Sequence, residues 1–188
     1  MKINLKSTSS YVLAWMAAAG IAVVFAVASP SDARIMGHLP AFMSQSPLSL
    51  KPIAMPGGLT ADRTLALITF QRGHRAQAES WIRGLHLDTD SSIAWMRMPV
   101  INDPGTQVGR SVVETRLMQN YPAANERANR VPVFTDRADF VHAAGLPGTD
   151  QFYAVVVNRN GEVLARVEGP FDAEKAQALR ETLLSHDL

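Results

Sequence analysis

The run Leu65 to Phe70, LALITF, constrains the fold more than any other stretch of the chain. It is almost continuously apolar and carries no charge, so it specifies a central strand covered on both faces rather than one with a face in water. Such a strand needs helices above and below it. The next residues supply one. Gly73 frees the backbone for a turn, and Arg75 to Arg83 reads as a helix with Ala78, Trp81, Ile82 and Leu85 on one side and Gly84 as its C-cap.

The remaining pattern continues this alternation. Ile93 to Val100, IAWMRMPV, is a second apolar strand, with Trp95 and Arg97 on one face, Met96 and Met98 on the other, and Pro99 marking an end or a bulge. Asn102 to Gly105, NDPG, is a turn, since Pro presets one φ and Gly permits a positive one. Gln107 to Tyr121 is helical, with Val113, Leu117 and Tyr121 at four-residue spacing and Val112 beside them. A polar loop runs to about Arg130. Val131 to Phe134 is a short strand, and Thr135 or Asp136 caps a helix whose buried stripe is Phe140, Val141 and Ala144, closed by Gly145.

Phe152 to Val157 and Val163 to Val167 meet across Asn160-Gly161, a signal for a type I′ hairpin in which both central residues take positive φ. Arg159 and Glu162 are placed to pair across the turn. The second strand alternates, as an edge strand with one wet face does. The last helix begins at about Asp172, with Ala176, Leu179 and Leu183 inside. Together these elements predict an α/β domain whose mixed sheet is covered on both faces.

The N-terminus reads as an export signal. Lys2 and Lys6 precede an uncharged run from Tyr11 to Ala28, and Ser31 and Ala33 suit the positions read at a cleavage site. Its length lies between a signal core and a spanning helix, so residues 1–33 are expected to be either a cleaved signal peptide or a signal anchor. Both place the rest on the periplasmic side of a bacterial envelope, anchored to the inner membrane by residues 11–28 or released from it. Residues 34–58, punctuated by Pro40, Pro47, Pro52 and Pro56, are expected to form a proline-rich arm or N-terminal hairpin, with a flexible spacer as the alternative. An exported domain without a cysteine holds together by its core alone. Apart from Lys2, Lys6 and Asp32, basic and acidic residues balance, which removes the long-range field on which nucleic-acid binding depends.

The order of elements resembles a known superfamily. The path through LALITF, a helix, VPVFTDRADFVHAAGL, FYAVVVNRNGEVLARVEG and PFDAEKAQALRETL is similar to thioredoxin-like proteins, above all the redoxin and thioredoxin-like proteins of bacterial envelopes. The implied fold is a thioredoxin-like three-layer α/β/α domain over residues 59–188, with a helical insert near 105–130 and a hydrophobic helix in front. VPVFTDRADF, AAGLPGTD and FYAVVVNRNG also resemble the mitochondrial ATP synthase assembly factors that share this fold. Two departures from the redox pattern stand out. Around the first helical turn after LALITF, where the resemblance implies a cysteine pair, the chain has His74-Arg75-Ala76-Gln77. Before Phe152, where it implies a cis-proline, stand Thr149, Asp150 and Gln151. Thiol exchange needs a nucleophilic sulfur, so resident disulfide reductase, isomerase and cysteine peroxidase chemistry is excluded.

Other chemistry finds little support. No P-loop, dinucleotide fingerprint or nucleophile elbow appears, so no cofactor is expected. His38, His74, His86, His142 and His186 show no paired spacing for a metal and read as surface or boundary residues. Glu79, Asp88 and Asp90 have no evident acid/base partner. Two function classes remain. One is a redox-inactive thioredoxin-like protein that binds a protein partner at the membrane and assists a membrane complex, with the Gln107 to Arg130 stretch as a partner-binding insert or a cover for a sheet edge. The other is a small-anion-binding or enzymatic domain using the junction loop, where Arg72, His74, Arg75 and Gln77 lie near a helix N-terminus. Against it stands the reading of these four as ordinary solvated residues.

Overall fold

Continuous apolar strands and amphipathic helices assemble as two helical layers around one sheet in the computed structural model, which describes residues 35–45, 52–119 and 129–184. The hydrophobic N-terminal segment, Tyr121 and most of the polar loop before Arg130 lie outside the described residues. The elements in chain order are β1 (Gly37–His38), β2 (Phe42–Gln45), β3 (Pro52–Met55), β4 (Arg63–Thr69), a 3₁₀ turn (Arg72–His74), α1 (Arg75–Gly84), β5 (Trp95–Asn102), α2 (Gln107–Gln119), β6 (Val133–Thr135), α3 (Arg137–Ala143), β7 (Tyr153–Asn158), β8 (Glu162–Glu168) and α4 (Ala173–Leu184). The main sheet has the order β1-β8-β7-β4-β5-β6. β4, β5 and β6 run parallel, while β7 is antiparallel to β4 and to β8.

β4 is central, and its side chains divide between two cores by strand alternation. Ala66 and Ile68 join Met96, Met98, Val100, Tyr153, Val155 and Phe140 on the face covered by α3. Leu65 and Leu67 join Trp81, Ile82, Ala154, Val156, Ala176 and Leu179 on the face covered by α1 and α4. The expected split of β5, methionines against Trp95 and Arg97, follows the same rule, with Trp95 packed against the second core. Trp81 fixes α1 in place. Its ring meets Phe171 edge-on at 5.3 Å, and its Nε1 donates to the Gly169 carbonyl at 3.0 Å.

Several local expectations are corrected. α1 does not stop through Gly84. His86, at φ 54°, takes the left-handed position, with Leu87 N donating to Ile82 O at 2.9 Å and His86 N to Arg83 O at 3.2 Å, a Schellman closure. Gly84 is required for another reason, since a Cβ there would lie 2.5 Å from the Phe171 ring. The β7–β8 hairpin is not type I′, because of its turn residues only Gly161 has positive φ. Asn158 Oδ1 accepts from Asn160 N and Glu162 N, and Gly161 N donates to Asn158 O, giving a type I turn followed by a left-handed glycine. Arg159 and Glu162 do not pair. Arg159 reaches Asp62 at 3.1 Å, and Glu162 faces His38 and Asn158.

β8 is not an outermost strand along its whole length. β1 pairs with its start, Gly37 opposite Val163 and His38 opposite Glu162. Non-local pairing of this kind leaves no local sequence signal. Beyond β1, the β2–β3 hairpin packs beside β6, with Ser44 Oγ donating to the Pro132 carbonyl at 3.1 Å and Met55 in the core. Pro99 does not end β5 either. It is the last residue paired with β4, opposite Thr69, and the ladder with β6 resumes at Val100–Val133 beyond the isolated Arg97–Arg130 bridge. Lacking an N–H, Pro99 cannot donate between those two contacts. Asp136 and Asp172 cap α3 and α4 as read from the sequence, each carboxylate accepting two backbone N–H bonds.

Candidate functional site

The junction after β4 is built around an inward histidine. His74 is only 5% exposed, its Nδ1 accepts from Phe70 N at 3.2 Å, and its Nε2 lies 3.2 Å from the Asp150 carbonyl oxygen. One neutral tautomer satisfies both contacts, with Nδ1 accepting and Nε2 donating. Gln71 Nε2 adds a bond to the Thr149 carbonyl at 3.4 Å. The loop before β7, which has no shaping proline at Thr149 to Gln151, is therefore tied to the junction by side chains. This corrects two expectations, since His74 is neither a surface residue nor a donor facing an outside anion.

Arg72 and Arg75 behave differently. Both are exposed and line a cleft of about 410 Å³ at the carboxyl ends of β4 and β5, under α2. Ligands of open α/β sheets gather at such strand ends. Four further arginines reach the same cleft: Arg97 from β5, Arg116 from α2, Arg130 before β6, and Arg137 at the start of α3. Apolar wall is contributed by Phe70, Val100, Val113 and Leu117. No Asp, Glu or His lines it among the described residues. Gln77 is not in the lining, and its Oε1 is buried without a hydrogen-bond partner among the described residues. Of the four residues singled out from the sequence, two therefore share the cleft.

The inner arginines are held by the fold. Arg97, 5% exposed, donates from Nη1 to Glu79 Oε1 at 2.9 Å, so Glu79 has a partner that sequence reading did not supply. Arg130, 3% exposed, donates to the Leu117 carbonyl at 3.1 Å, and Arg137 Nε donates to the Val100 carbonyl at 3.1 Å. Carbonyl partners fix the orientation of these two guanidinium groups. Arg72 and Arg116 make no side-chain hydrogen bond or ion pair among the described residues. At the front of α2, Arg110 pairs with Asp103 at 2.5 Å, and this bond with that from Gly105 N holds the Asp103 carboxyl below its ordinary value.

A wall of guanidinium and apolar groups favours negative charge, and Thr69 and Gln71 add the neutral polar side chains of the lining. A sequence clue to the inner arginines did exist. Arg97 is the one charge inside the apolar stretch IAWMRMPV, where a strand covered on both faces does not tolerate an unpaired cation. Arg116 and Arg130 carried no comparable signal, since helix and loop arginines are ordinarily solvated.

No protein-family model matches the chain, and no curated protein matches it. Solved structures do. A thioredoxin-like superfamily protein superposes with a TM-score of 0.52 over 80% of this chain and 98% of its own, at 11% identity. An Aquifex aeolicus protein described as a candidate for electron transfer gives a TM-score of 0.52 over 78% and 94%, at 8% identity. BsSco, of the Sco family of cytochrome c oxidase assembly proteins, gives 0.47 over 77% and 91%, at 13% identity. The chain thus has the thioredoxin-like fold. Within that class it is a cysteine-less protein, with an arginine-lined cleft beside the strand-to-helix junction.

Proposed function

We propose that this chain is a redox-inactive thioredoxin-like accessory protein of the bacterial envelope, held at or released from the inner membrane on the periplasmic side, which binds a protein partner and assists a membrane complex. The observation that carries the reading is α2. Over 13 residues it buries no side chain fully, and it turns Val108, 75% exposed, and Val112, 46% exposed, outward one helical turn apart. Apolar side chains stacked at that spacing are the pattern by which a helix anchors on a partner. The absence of cysteine leaves the scaffold no thiol chemistry of its own. The test is capture of the full chain with its neighbours from detergent-solubilised membranes. Val108→Asp and Val112→Asp are expected to remove a partner that the unchanged chain retains, and equal recovery by both variants refutes the reading.

A second reading, binding of small anions, is favoured by a specific observation. Arg72 and Arg75 share their cleft with four other guanidinium groups. Full-length protein is expected to melt at higher temperature with phosphate than with chloride at equal ionic strength, because a ligand that binds only the folded state stabilises it by mass action.

A further inference from the structure

We propose that the cleft under α2 is a site for a small organic anion, one carboxylate or phosphate group joined to an apolar body, gripped from two sides by Arg72 and Arg116. The inference deepens the anion reading and rests on it.

Three features lead to this class of ligand. The first is charge. Six arginines line one cleft, and two of them, Arg72 and Arg116, make no ion pair among the described residues. Cations gathered at close range in a partly enclosed site repel one another and lose hydration, a cost that a bound anion offsets. The second is mobility of the grip. Arg72 stands in the 3₁₀ turn before α1 and Arg116 on α2, both exposed and without side-chain partners among the described residues, so neither must break a bond to reach a ligand. A planar guanidinium meets carboxylate or phosphate with two parallel N–H bonds, and donors on opposed elements can hold one group between them. The third is the wall. About 410 Å³ lies within the range of small-molecule sites, and Phe70, Val100, Val113 and Leu117 provide apolar surface that an inorganic ion would leave unused.

The first turn of α1 adds to the field. It contains no acidic residue and continues from the 3₁₀ turn, where the Arg75 N–H donates to the Arg72 carbonyl, so the helix dipole contributes positive potential near Arg72 and Arg75. The opposing surface, α2, has Val113 and Leu117 only half-buried. A ligand whose anionic end meets Arg116 and whose body meets those two side chains would draw α2 onto the sheet.

Full-length protein in a neutral detergent would be titrated calorimetrically with phenyl phosphate, benzoate, inorganic phosphate and phenol at fixed ionic strength. Phenyl phosphate or benzoate is expected to bind at least about tenfold more tightly than inorganic phosphate, with phenol not binding, since apolar burial and charge pairing act together. Preference for one of the two organic probes distinguishes a phosphate-bearing from a carboxylate-bearing ligand. Arg72→Gln and Arg116→Gln, both at exposed positions, are each expected to weaken the preferred probe about tenfold, whereas Arg83→Gln, on α1 but outside the lining, leaves it unchanged. Inorganic phosphate binding as tightly as both organic probes overturns the organic-anion inference and leaves the anion reading standing. No binding by any anion overturns both. Binding that survives Arg72→Gln and Arg116→Gln places the ligand elsewhere and also overturns the proposal.

Discussion

Arg97 Nη1 donates to Glu79 Oε1 at 2.9 Å, joining the strand beneath the cleft to the helix that starts at its mouth. The two side chains are 6% and 27% exposed, so the pair is largely removed from water without being sealed. It holds a cation in a place where an apolar residue would pack more readily. That cation is retained within reach of five others lining the same cleft.

Removing the carboxylate takes an ion-pair partner from that buried charge. Glu79→Gln is expected to destabilise the domain by about 2–3 kcal/mol, below the full cost of breaking a buried pair because Glu79 is partly solvated. Urea unfolding measures it. The double variant Glu79→Leu, Arg97→Met should recover much of the loss, since it removes both charges together. A double variant less stable than Glu79→Gln would show that Arg97 contributes chiefly through other contacts.

His74→Leu tests the latch between the junction and the loop before β7. It leaves the buried Phe70 N–H without its ring partner, at a cost of about 1–3 kcal/mol, and unties the part-buried Asp150 carbonyl. Proteolysis near Thr149 and Asp150 should quicken. Unchanged cleavage and stability would mean that water replaces the imidazole without loss.

Gly37 and Gly145 meet where β1 crosses the end of α3. A Cβ on Gly37 would lie 2.4 Å from the Ala144 carbonyl carbon, and one on Gly145, at φ 64°, would lie 1.9 Å from the Met36 oxygen. Neither contact can be relieved by a side-chain rotation, because backbone faces backbone. Gly37→Ala is expected to cost about 2–4 kcal/mol and to release β1 from β8. Hydrogen exchange at Met36 and Leu39, whose N–H groups donate to Val163 and Gly161, reads that release directly.

Tyr153 gives the stability curve an alkaline limb. Burial in the core lifts its phenol above the ordinary value, and the Glu168 carboxylate adds to the effect. The neutral form is therefore favoured in the folded state. Its contribution is complete below the unfolded value of about 10 and declines as pH rises from there through the folded value. Unfolding free energy measured from pH 8 to 11 should fall above about pH 10, and Tyr153→Phe should flatten part of that fall. A limb unchanged in Tyr153→Phe would assign the decline to other groups.

Thiol chemistry provides the simplest check. The purified chain is expected to show no turnover in insulin reduction or in a thiol peroxidase assay, since it has no sulfur nucleophile. Turnover that copurifies with the chain through successive columns would contradict this.

Strands were legible where hydrophobicity was continuous. β4 and β7 are covered on both faces, and no partner arrangement could leave LALITF or YAVVV in water. Caps were legible as well, because Asp136 and Asp172 act on N–H groups two and three residues away. Reading stopped where a residue's role depends on distant chain. Gly84 looks like a cap and is instead the seat of the Phe171 ring. Arg159 and Glu162 look paired and are drawn to Asp62 and His38. His74 looks solvated and is bound by Phe70 and Asp150.

By itself the sequence determined a mixed α/β domain with LALITF at its centre and no thiol, because apolar periodicity, local capping and the chemistry of sulfur are properties of neighbouring residues or of composition. Only the tertiary structure decided that β1 would cover the start of β8, that His74 would turn inward, and that six arginines from separate elements would line one cleft. The last outcome depends on parallel crossovers that bring residues 72, 97, 116, 130 and 137 together beside β4, β5 and β6. Such proximity between distant positions is not encoded in any local window of sequence.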